Sequence, residues 1–129
     1  MKLLLKSMVV LLISVFLVSK CEAMNFAEGY EQSGRKPMIL LIYADWAGDY
    51  KSYIKVLDSL EKVYEDKFNF VKLDIAKPEA AAFNARYHIY PNLPYILMFR
   101  NQGKISRYIQ GNCAIDYSCV ESKMKTFIQ

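Results

Sequence analysis

Six consecutive apolar residues, Met38-Ile39-Leu40-Leu41-Ile42-Tyr43, leave no polar side for a pleated strand to turn to water. Such a run predicts a strand buried on both faces. From Asp49 the period changes. Tyr53, Ile54, Leu57, Leu60, Val63 and Tyr64 recur at gaps of three and four and predict one helical face. Asn69 to Ile75, with Phe70, Leu73 and Ile75, predicts a second strand. Pro78 then predicts the first turn of a helix that runs through Phe83 and Ala85. A loop with two prolines, Tyr87 to Pro94, leads into a third strand, Tyr95 to Phe99. Arg100 to Lys104 is a turn in which Gly103 takes positive φ, and Ile105 to Ile109 returns antiparallel. Asp116 is a good N-cap for a last helix with Tyr117, Val120, Met124 and Phe127 inside. Ahead of all this, Asn25 to Ser33 forms one or two weakly amphipathic turns, and Gly34-Arg35-Lys36-Pro37 a bend. Alternating strands and helices that end in a hairpin and a helix predict an α/β fold of three layers, a central mixed sheet with helices on both faces.

The first 23 residues do not fit that pattern. A basic start with Lys2 and Lys6, an uncharged run from Ser7 to Val18, and small residues at Cys21 and Ala23 predict a secretory signal peptide cut after Ala23. The run is too short to span a bilayer. A lipoprotein acylated on Cys21 is the competing reading, although Lys20 stands where the lipid pathway wants a small residue. The protein is therefore expected in the periplasm or secreted, and at a membrane only if Cys21 is lipidated. The remaining domain, residues 24–129, has 106 residues, enough for one domain. Removing Lys2, Lys6, Lys20 and Glu22 lowers the net charge from +4 to +2. No Lys/Arg stripe appears, which argues against nucleic acid. His88 is the only histidine and no ligand spacing surrounds it, so no metal and no cofactor are expected. Lys51, Lys55 and Lys62 read as a solvated helix face.

The strand ending Tyr43-Ala44-Asp45-Trp46, Gly48 in the following turn, Lys51, Pro94, Asn101-Gln102-Gly103-Lys104 and Gly111 together resemble the thioredoxin superfamily, most of all its exported bacterial members. The resemblance covers Lys36 to Gln129. It implies dithiol–disulfide exchange by a Cys-X-X-Cys pair whose first thiolate sits at a helix N-terminus. Here those positions read Ala47-Gly48-Asp49-Tyr50. Ala47 cannot attack and Tyr50 cannot resolve. The buried acid of the family falls at Leu41. The resemblance also implies a cis Leu93–Pro94 bond, in a loop whose backbone pairs with an extended substrate peptide.

These substitutions imply a binding or accessory module without the usual redox site. Asp49 reads most simply as a helix cap. Tyr50 needs more room than a thiol, so either the pocket opens or the ring lies outward, beside Trp46 and the Leu93-Pro94-Tyr95 loop. Trp46, Asp49, Tyr50, Leu93, Pro94 and Tyr95, with Tyr90 nearby, then form a surface for a protein or extended peptide. Two cysteines survive removal of the leader. In an oxidising compartment Cys113 and Cys119, six apart, are expected to form a structural disulfide. The alternative is a thiol-disulfide oxidoreductase working through that pair, which is expected to lie away from the proline loop; two free thiols complete the choices.

Overall fold

A computed structural model of the chain describes residues 24–128. The leader, with Cys21 and the cut after Ala23, lies outside the described residues. The apolar run forms strand β1 (Met38–Tyr43), and its residues from Met38 to Ile42 are wholly buried. It lies inside a four-stranded sheet of order β2-β1-β3-β4, with β2 at Asn69–Asp74, β3 at Tyr95–Arg100 and β4 at Ile105–Ile109. β1 runs parallel to β2 and antiparallel to β3, and β4 returns antiparallel to β3.

The period of two splits β1 between two cores. Ile39 and Leu41 face Tyr53, Leu57, Leu60 and Tyr64 of helix α2 (Tyr50–Tyr64) and the last helix of the chain, Tyr117–Phe127. Met38, Leu40 and Ile42 face Phe26 of helix α1 (Phe26–Gln32) and Phe83 of the short helix α3 (Ala80–Asn84). The last helix is α4. Each large aliphatic side chain buried this way stabilises the fold by about 1.5–3 kcal/mol relative to exposure. The expected three layers, with helices on both faces of a mixed sheet, are present.

Two sequence expectations shift. Val63 is 59% exposed, although it kept a helical gap from Leu60. Tyr53, Leu57, Leu60 and Tyr64 already define the buried stripe, and Val63 lies about a quarter turn around the helix from it. The segment at Pro78 does not start α3. Ala80, Ala81 and Ala82 donate to the carbonyls of Lys77, Pro78 and Glu79, bonds that span three residues and make a tight turn, so the helix begins only at Ala80. Asp116 caps α4 as expected, accepting the Cys119 N–H at 3.0 Å.

Ser33, just past α1, is fully buried and polar, and its bonds explain why. Its hydroxyl donates to the Tyr30 carbonyl at 2.6 Å and accepts the Gln102 N–H at 2.9 Å. Its carbonyl accepts the Asn101 N–H at 2.9 Å. The Tyr30 hydroxyl donates to the Gln102 carbonyl at 2.8 Å. These bonds hold the β3–β4 turn, where Asn101 and Gln102 join Gly103 at positive φ; only the glycine was expected there.

Candidate functional site

Strand β1 is followed by a buried Ala44, and the Ala47 N–H donates back to its carbonyl at 3.1 Å, which folds Asp45 and Trp46 outward. Gly48 follows with φ +59. A Cβ built there would stand 2.8 Å from Pro94 Cδ and 3.0 Å from the Leu93 carbonyl oxygen. Glycine is needed on both counts, conformation and contact. The turn is thereby pressed against the proline loop, and the Leu93–Pro94 bond is cis, as the resemblance implied.

Ala47 and Tyr50 occupy the two ends of this turn at the start of α2. Ala47 is buried, and no sulfur lies between them. Asp49 stands at the N-cap, but its side chain makes no cap hydrogen bond. Its backbone, at φ −98 and ψ 51, is not the extended form that aims a capping side chain at the first amides, so the expected cap is not formed.

The expected aromatic surface is also rearranged. Tyr50 does not line the groove along the proline loop described next; its ring stacks on Tyr43, with centroids 5.4 Å apart. Burial first, then the Asp74 carboxylate, raise the Tyr43 phenol above its usual value. Tyr95 is fully buried, and its hydroxyl accepts the Tyr90 N–H at 3.2 Å. Trp46 is 73% exposed and does not line the groove described next. The exposed aromatics near Pro94 are Tyr90 and Tyr108, edge to face at 5.8 Å.

An open groove of about 660 Å³ runs along the proline loop. Asp49, Leu93 and Pro94, three of the six expected binding residues, line it. Tyr108, Gln110, Asn112 and Ile115 complete its far side. The Gln110 amide donates to the carbonyls of Asn92 at 2.5 Å and Pro94 at 3.2 Å, and the Tyr108 hydroxyl donates to the Gln110 side-chain oxygen. The Leu93 N–H donates to the Pro91 carbonyl at 3.1 Å. Much of the backbone that the resemblance assigned to a substrate peptide is thus engaged within the chain. The floor is fixed by Tyr53, whose hydroxyl accepts the Gly111 N–H at 3.0 Å. Sequence reasoning missed Tyr108 and Gln110. The available signal was Tyr108 and Gln110 alternating with the buried Ile109 just ahead of Gly111, a landmark already noted.

Cys113 and Cys119 are bonded, with Cα atoms 5.3 Å apart. Cys113 lies in a single 3-10 segment, Gly111–Ile115, and packs against the core shared by α2 and α4. The pair was expected away from the proline loop, yet Gly111, Asn112 and Ile115 of this segment border the groove; the sulfurs themselves do not. His88 is exposed beside Tyr90, and Lys51, Lys55 and Lys62 are exposed on α2. Among the described residues no three His, Cys, Asp or Glu side chains converge as metal ligands. What this surface offers is a shaped apolar trough with amide, carboxylate and phenol groups at its rim, suited to non-covalent binding.

Solved structures share the fold. The thioredoxin of Malassezia sympodialis (Mala s 13) is 20% identical, with a TM-score of 0.60 over 80% of this chain and 85% of that one. Oxidised mitochondrial thioredoxin 3 from Saccharomyces cerevisiae is also 20% identical, with a TM-score of 0.57 over 79% of this chain and 90% of that one. A malarial protein of 19% identity gives a TM-score of 0.57 over 74% of this chain and all of that one. No curated protein sequence matches the chain. The thioredoxin family model matches residues 17–118. With that match spanning most of its length and the expected sheet, helices and cis proline in place, the chain belongs to the thioredoxin family.

Proposed function

We propose that this is an exported, non-catalytic member of its family that binds a protein or extended peptide in the groove beside Pro94. One observation carries the reading: Ala47 and Tyr50 replace both exchange sulfurs at the start of α2, while Cys113 and Cys119 are bonded to each other outside that turn. Binding centres on Asp49, Leu93, Pro94, Tyr108 and Gln110, with Trp46 as an exposed flank. Tyr50 and Tyr95 support this surface from behind rather than forming it. Export, with cleavage after Ala23, rests on the leader's pattern, and the mass of the protein purified from cells checks it. In an insulin-reduction assay with dithiothreitol the protein is expected to give no rate above the uncatalysed reaction. Capture of a partner from envelope extract is expected to fall in Tyr108→Ala; unchanged capture by that variant rejects the groove.

A second reading has its own support. The disulfide's segment borders the groove, so a substrate dithiol held there has a bond nearby to reduce as it is itself oxidised. Turnover that disappears in Cys113→Ala establishes that reading in place of the first.

A further inference from the structure

Three cations that are far apart in sequence meet in one cleft of about 450 Å³ between β4 and α4: Arg100, Arg107 and Lys123. Strand register brings the first two together. Met98 pairs with Arg107 and Arg100 with Ile105, so these residues share the sheet face whose core holds Ile96, Met98 and α4. From α4, Ser122 and Thr126 line the opposite wall one turn apart, as do Lys123 and Phe127.

Among the described residues the charge is uncompensated. No Asp or Glu lines the cleft, and among the described residues none of the three cations forms a salt bridge. Glu121, the one acidic residue of α4, is held elsewhere: it accepts the Tyr64 hydroxyl at 2.8 Å and lies 4.0 Å from Lys125. The whole chain carries a net charge of only +4, so this single cleft concentrates much of its excess. Like charges gathered in a concave site repel until an anion joins them.

Arg100 is already set in place. Its Nη1 donates to the Phe127 carbonyl at 3.0 Å, and its guanidinium lies over the Phe127 ring at 5.5 Å. Its Nε is buried and has no hydrogen-bond partner among the described residues. A planar fork anchored at one corner, with donor capacity unused, is the usual protein answer to an oxyanion. The cleft is larger than a bare oxyanion needs, and Ile105 and Phe127 give it apolar walls.

We propose that this cleft binds a small amphipathic oxyanion, a carboxylate or phosphate group carrying a short apolar body. Arg100, Arg107 and Lys123 take the anion, the Ser122 and Thr126 hydroxyls add donors, and Phe127 and Ile105 cover the apolar part. The site is separate from the reading of the groove and stands or falls alone.

The test uses ¹⁵N-labelled protein purified after expression of the full chain. Hexyl phosphate and hexanoate are titrated in, with hexanol as the neutral control. Amide shifts are expected at residues 105–107 and 122–127, with hexanol giving none. Arg107→Gln and Lys123→Gln, both exposed positions, are each expected to weaken binding about tenfold. Lys55→Gln, on α2, is expected to change nothing, and added salt weakens the interaction. A parallel arm with phosphatidylglycerol vesicles separates a lipid headgroup from a free molecule: vesicle binding lost in the same two variants assigns the headgroup. Absence of binding to every anionic probe, equal binding of hexanol, or affinities unchanged in both cleft variants overturns the proposal. Arg100 is left intact throughout because it also ties α4 to the sheet.

Discussion

The ring of Tyr50 lies nearly flat on the ring of Tyr43, their planes 9° from parallel. One tyrosine ends β1 and the other begins α2, so the stack closes the turn that joins them. The position that held a resolving thiol in the family's exchange motif has become a packing position. Tyr50→Ala is expected to lower stability by about 1–2 kcal/mol, and Tyr50→Phe to restore most of it, because ring contact rather than the hydroxyl carries the interaction. Urea unfolding of the three proteins checks this. Partner capture at the groove is expected to be unchanged in the phenylalanine variant.

That stack also marks where the sequence stopped being readable. The strands and the buried stripe of α2 followed from periodicity, since burial on one face is written directly into residue spacing. Tyr50 was different. Its size called for space, in an opened pocket or outside it, and the ring it stacks on, Tyr43, belongs to another element that spacing along α2 does not reveal. Tyr95 misled for a related reason: it begins the third strand as expected, but beside Pro94 its side chain was grouped with the exposed binding surface, whereas it is buried in the core. The cleft of Arg100, Arg107 and Lys123 had no sequence signature at all, because the pairing of β3 with β4 and the packing of α4 against them assemble it.

Gly48→Ala tests how tightly the turn is held. A methyl group there meets Pro94 Cδ at 2.8 Å and adopts φ +59, which an L side chain rarely takes. The expected loss is about 1–3 kcal/mol. Because the methyl presses on the proline loop, amide shifts of Leu93 and Tyr95 are expected to move with it. A variant of wild-type stability with unmoved amides contradicts the described contact.

Breaking the Cys113–Cys119 bond opens a short loop. The chain-entropy model puts the expected cost at about 2 kcal/mol. Unfolding with and without reductant measures it, and Cys113→Ala with Cys119→Ala should match the reduced protein. Thiol counting in denaturant is expected to give none before reduction and two after it. A chain that keeps Cys21 shows an additional thiol, so the same count reports on the leader.

Tyr64 donates to the Glu121 carboxylate at 2.8 Å, a bond that exists only while the phenol keeps its proton. That bond first, then burial, pushes the phenol up to about 12 from the usual 10.0. The folded value is higher than the unfolded one, so the stabilisation is fully present below about pH 10 and is lost as pH rises toward 12. Tyr64→Phe is expected to make stability fall less steeply across that window than in the parent protein. Parallel slopes in alkaline urea titrations refute the linkage.

The bonds between Ser33 and the Asn101–Gln102 turn have a consequence for a chain that is threaded outward from its start. Helix α1 appears first, yet the groups that satisfy Ser33 arrive about seventy residues later. Until then the Ser33 carbonyl has only water to bond, and its hydroxyl only the Tyr30 carbonyl at the end of the same helix. The dry packing of Ser33 therefore waits for the hairpin, a contact of long sequence separation whose loop must close before it is rewarded.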